Sequence, residues 1–155
     1  MSIATAYAAL GSALADALVS VGALSDAALF AIDPPVDLEP DGEADSLAVA
    51  AGLINLGTGG QQRMLGGAQR RYQVDRQCAL ELALSSPDLV ERATVLEQAL
   101  AACAALPETD PTLGGLAERF EVLEREDEPW PPNGVRVVLT FLLRVRSGDA
   151  LGLSA

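Results

Sequence analysis

Two stretches of this sequence alternate apolar and polar residues for about a dozen positions each, and that pattern limits the folds open to the chain. From Tyr72 to Leu84, residues Tyr72, Val74, Cys78, Leu80, Leu82 and Leu84 share one side of an extended backbone. Gln73, Asp75, Gln77 and Glu81 take the other, with Arg76 an exception on the apolar side. From Val135 to Arg146, residues Val135, Val137, Leu139, Phe141, Leu143 and Val145 face one way, and Arg136, Thr140, Arg144 and Arg146 the other. A period of two over this length predicts long strands with one dry and one wet side. Such strands belong to antiparallel sheets.

The remaining segments supply what covers the dry side. Tyr7, Leu10, Leu14, Leu18 and Val21 recur at steps of three and four and predict a helix ending near Gly22. Ser86-Pro87-Asp88 reads as the start of a second helix, with Ser86 as its cap and Pro87 at its first position. Its stripe is Leu89, Ala93, Leu96, Leu100 and Cys103, and Pro107 ends it. Ala27–Ile32, Ser46–Leu56 and Phe120–Glu126 read as further strands. The segments 33–45, 57–71 and 127–134 read as a mobile acidic loop, a hairpin loop and a proline-rich linker. The expectation is one α+β domain over 1–155 in the order α-β-β-β-α-β-β. About five strands form a mainly antiparallel sheet, with two helices on one face.

Composition narrows the chemistry. The chain carries 22 acids against ten bases, a net charge of −12; it has no histidine, and every base is arginine. Histidine relays, imidazole metal ligands, phosphate-binding lysines and Schiff bases are therefore excluded. The acidity argues against wrapping DNA, since a binder must displace counterions with its own cations. Cys78 and Cys103 lie on apolar faces with no metal spacing, so buried free thiols are expected. The Ala-rich N-terminus has no basic region and carries Asp16, which argues against a signal peptide or membrane span. We expect no cofactor, no metal and no enzyme activity.

The Gly57–Gly67 segment lacks the phosphate-loop spacing and leads into a strand, so it reads as a hairpin loop. The acids of 33–45 miss the calcium-loop pattern and read as solvated. The glutamates at 118, 121, 124, 126 and 128 read as a wet strand face rather than a catalytic pair. Trp130 either staples its loop to the core or anchors a partner. A further feature concerns sign: between Asp45 and Asp75 there is no acid, yet Arg63, Arg70 and Arg71 lie there. Opposite patches on one subunit suit head-to-tail contact between copies.

The segment Asp110-Pro111-Thr112-Leu113-Gly114-Gly115-Leu116, followed by the strand Val135–Arg146, resembles the tail terminator (minor tail, or tail-completion) proteins of long-tailed phages and gene transfer agents. Leu143 and Val145 stand near the place where that family usually has an aromatic. The resemblance implies a structural virion protein at the head–tail junction, made in the host cytoplasm. It implies a hexameric ring that caps the tail tube and stops its polymerisation. Its partners would be further copies, the major tail tube protein and the head connector. DNA would pass through the bore without specific binding, and no membrane would be involved. An acidic bore lining would let DNA slide, so the Glu-rich strand or the acidic loop is expected there. The contact residues expected are Arg63, Arg70, Arg71, Thr112, Leu113, Gly114, Gly115 and Trp130. The alternatives are a head-side neck or stopper protein and, more remotely, a small carboxylate-dependent hydrolase.

Overall fold

A computed structural model describes residues 3–57, 63–65 and 71–147. Helix α1 spans Ile3–Ser20, a 3-10 turn Ala27–Leu29, and strand β1 Phe30–Ile32. Strands β2 (Ala48–Asn55), β3 (Arg63–Leu65) and β4 (Arg71–Ser85) follow. Helices α2 (Leu89–Ala104) and α3 (Leu106–Thr109) then lead into strands β5 (Arg119–Trp130) and β6 (Gly134–Ser147). The fold is α+β. Across the sheet the order is β1-β2-β4-β6-β5, with β3 also paired to β4. Every pairing is antiparallel except β1 with β2.

The two alternating stretches become the central pair, β4 and β6, in register from Tyr72 opposite Ser147 to Ser85 opposite Gly134. Their apolar sides lie on the same face and close the core with α1 and α2. Leu10, Leu14, Leu18, Leu80, Leu82, Leu84, Val137, Phe141, Leu143 and Val145 are wholly buried there. Fully burying each such side chain stabilises the fold by about 1.5–3 kcal/mol.

Several boundaries differ from expectation for local reasons. The strand expected over Ala27–Ile32 begins only at Phe30, because the Asp26 carboxylate takes the Ala28 amide and tightens Ala27–Leu29 into a 3-10 turn. Helix α2 is capped by Asp88, not Ser86: the Asp88 carboxylate accepts from the Val90 and Glu91 amides, leaving Pro87 outside. The hairpin loop expected over 57–71 contains strand β3, and Arg71 already belongs to β4. Strand β5 runs on to Trp130, so most of the expected linker is strand, and Trp130 pairs with Gly134 instead of lying in a loop.

The acidic segment has no regular structure and its carboxylates are exposed, as expected, but its backbone is tied to the sheet. The Leu38 amide donates to Glu81 Oε2 (3.0 Å), and the Leu38 carbonyl accepts from Arg136 Nε (3.1 Å). Asn133 donates through its side chain to the Ala44 carbonyl and through its amide to the Gly42 carbonyl. The segment thus crosses the face of the sheet away from the helices, hereafter the outer face, and Glu81 is buried beneath it rather than wet.

Candidate functional site: an outer sheet face with two signs of charge

Alternation and register together decide what the outer face carries. At one end of the sheet Gln73 lies opposite Arg63 on one side and Arg146 on the other, so three strands contribute to one row. In the next row Asp75 lies opposite Arg144, which lies opposite Arg119. Arg71 is two residues before Gln73 on β4. Five of the ten arginines therefore stand in neighbouring rows at this end. Arg144 forms a two-pronged pair with Asp75 (2.8 and 2.9 Å), and that hydrogen-bonded pairing raises its pKa. Arg119 pairs with Glu121.

The opposite end is acidic. A bulge between Val122 and Glu124 inserts Leu123 as an extra residue in β5. Without it, plain alternation would put Glu124, Glu126 and Glu128 on the same side as Phe120 and Val122, facing the helices. With it, Phe120 and Val122 stay with the core, whereas Glu124, Glu126 and Glu128 lie opposite Thr140, Val138 and Arg136 on the outer face. The tied acidic segment comes to the same end, so Asp37, Glu39, Asp41, Glu43, Asp45 and these three glutamates make eight exposed carboxylates there. Arg136 joins the two groups: its guanidinium reaches Glu81 (2.9 Å), Glu128 (3.3 Å) and Asp37 (3.9 Å). The Glu-rich strand and the acidic loop, separate in sequence, form one wall.

The other contact candidates have local explanations as well. In the turn after α3, Leu113, Gly114 and Gly115 all have positive φ (50°, 69° and 90°), a run that favours glycine. The Asp110 carboxylate accepts from the Gly114 amide and the Thr112 hydroxyl from the Gly115 amide. Leu113 is thereby turned into the core, while Thr112, Gly114 and Gly115 stay exposed. Trp130 is half-buried beside Gly42, so it adjoins the acidic segment. Arg70 lies outside the described residues, and Arg63 and Arg71 are placed by their strand positions.

Two clefts lie between α1 and the β1 edge. The smaller, about 290 Å³, is lined by Ile3, Ala4, Tyr7, Asp33, Asn55 and Arg76. Tyr7 donates to Asp33 (2.7 Å) and also lies 3.2 Å from the Leu53 carbonyl; burial foremost, then Asp33, raises its pKa. The Arg76 Nε is buried and has no partner among the described residues. The larger, about 390 Å³, is lined mostly by small and apolar residues with Asp16 and Asp33. Neither is lined by a glutamate. Among the described residues no group of acids and cysteines is placed to hold a metal ion.

Sequence reading located the acids and the hairpin arginines but missed that Arg119, Arg144 and Arg146 join the latter. The alternation of β6 marked Arg144 and Arg146 as outer-face residues; only the register of β3, β4, β5 and β6 shows them to be neighbours. No protein-family model and no curated protein matches this sequence.

Proposed function

We propose that this chain is a structural component of a phage or phage-like particle, a tail terminator that assembles as a ring and caps the tail tube. The observation that carries this reading is the single acidic wall. Eight exposed carboxylates gathered at one end of one sheet face offer duplex DNA a surface that repels its phosphates. A bore so lined would pass DNA without holding it. The Asp110–Leu116 turn supports the reading through its resemblance to the family.

In a ring reconstruction of the purified protein, Glu124, Glu126 and the 33–45 segment are expected to line the bore. Finding both on the outer circumference would remove the basis for the sliding surface. Immunogold label on headless tails should fall at one end of the tube. Label confined to heads would return the protein to a neck role.

A further inference from the structure

One residue lining the smaller cleft breaks the pattern of the strand that carries it. Arg76 stands on the side of β4 that Val74, Cys78, Leu80, Leu82 and Leu84 give to the core, opposite Leu143 of β6. It is half-buried, and its Nε is buried with no hydrogen-bond partner among the described residues. No ion pair among the described residues includes it. A guanidinium offers five donors and no acceptor, so leaving it unpaired away from water costs stability.

We propose that this cleft binds a small carboxylate that also carries a cationic donor, the chemistry of a free amino acid, with the carboxylate on Arg76 and the ammonium toward Asp33. The cleft lies on the helix side of the sheet, away from the acidic wall, so the proposal is independent of the ring reading.

The register shows why there is room beside Arg76. Strand β2 ends its pairing with β4 at Asn55, opposite Cys78, and β3 pairs only from Gln73 to Arg71. Arg76 falls between the two ladders, and Ile3, Ala4 and Tyr7 of α1 line the cleft beside it. The volume, about 290 Å³, is at the small end for a ligand pocket. The first turn of α1 carries no acid, and its dipole favours negative charge in the same place as Arg76 does.

The chain supplies no acceptor for this arginine nearby. Segments 58–62 and 66–70 contain no acid in sequence. Asp33 is the one carboxylate lining the cleft, and its Oδ1 already accepts from the Tyr7 hydroxyl (2.7 Å) and the Asn55 amide (3.2 Å). Its Oδ2 accepts no bond among the described residues. A guanidinium and a carboxylate thus line one small space without pairing. The planar fork of an arginine matches a carboxylate. A phosphate would be repelled by Asp33, whereas an ammonium would be held by it. Ile3 and Ala4 complete the lining with apolar surface that suits a short aliphatic side chain.

Calorimetric titration and ¹⁵N NMR of the full chain test this, with L-alanine, acetate, methylamine and inorganic phosphate as probes. L-alanine should bind and shift the Arg76 Nε resonance. Acetate, lacking the donor, should bind at least about tenfold more weakly. Methylamine and phosphate should not bind. Arg76→Met keeps the length of the side chain and puts an apolar group on the dry side of β4. It should abolish L-alanine binding and leave Tm at or above the wild-type value, because an unpaired cation is removed. Asp33→Asn keeps an acceptor for Tyr7 and Asn55, should fold normally, and should bind L-alanine no better than acetate. That variant carries the test should Arg76→Met fail to fold. An Arg76 Nε resonance unmoved at about 10 mM L-alanine would overturn the proposal. So would L-alanine binding that survives in both variants, or a preference for phosphate. Binding seen only in Asp149→Asn would overturn it as well, by making the chain's own carboxylate the occupant.

Discussion

At Glu81 a fully buried carboxylate accepts from the Arg136 guanidinium and the Leu38 amide together, so removing Arg136 leaves that carboxylate buried without a countercharge. Breaking such a pair from one side costs about 3–5 kcal/mol. Arg136→Ala should therefore lower unfolding stability by that order in urea titrations. Glu81→Ala leaves Arg136 its bonds to Glu128 and the Leu38 carbonyl but should speed amide exchange at Leu38, which loses its acceptor; unchanged exchange there would show that the acidic segment is held by other means. The two thiols give a prediction of a different kind. Burial pushes Cys78 and Cys103 from the ordinary 9.0 up to about 12, so above pH 9 the unfolded chain releases thiol protons that the folded chain retains. Stability should be unaffected by these groups below pH 9 and should fall as pH rises from there toward 12. Tyr7, also raised, adds to the loss at the alkaline end. Thermal unfolding across that range checks the sign, and a thiol reagent should label neither cysteine until the chain is denatured.

Among the elements, the turn from Asp110 to Ala117 depends most on its own residues. Gly115→Ala forces a side chain into a left-handed backbone conformation, and about 1–2 kcal/mol of lost stability is expected. Leu113→Ala removes a plug that is 5% exposed and should cost about 2–5 kcal/mol. Circular dichroism during denaturation separates the two from wild type; a neutral Leu113→Ala would mean that the turn does not anchor the core. How far each element could be read from sequence follows from how local its causes are. The helices and the long strands β4 and β6 were legible because periodicity alone determines their faces. Strand β5 was legible only in part. Its apolar and acidic residues fall on one side under plain alternation, and the bulge that separates them depends on pairing with β6. The acidic segment carried every sign of a loose loop, because the residues that tie it, Glu81, Asn133 and Arg136, lie far along the chain. Long-range register also hid the arginine rows, which are built from three separate parts of the sequence.

For the whole molecule, the placement of charge matters as well as its total. A subunit with net charge −12 should repel its copies, and eight of its exposed carboxylates are gathered at one end of one sheet face. Self-association should therefore strengthen as salt rises from low to physiological strength, because repulsion between exposed charges is screened beyond a Debye length. Light scattering across a salt series tests this, and association that weakens with salt would point to contacts between opposite charges instead. The bulge at Leu123 has a bearing here as well. Because β5 is interrupted by an extra residue and closed by Pro129, it is a poor template for backbone pairing, the route by which exposed sheet edges become fibres. Copies crowded against that edge would meet through side chains and not through backbone, so the chain should stay dissolved at concentrations where a bare strand edge would draw copies into insoluble threads.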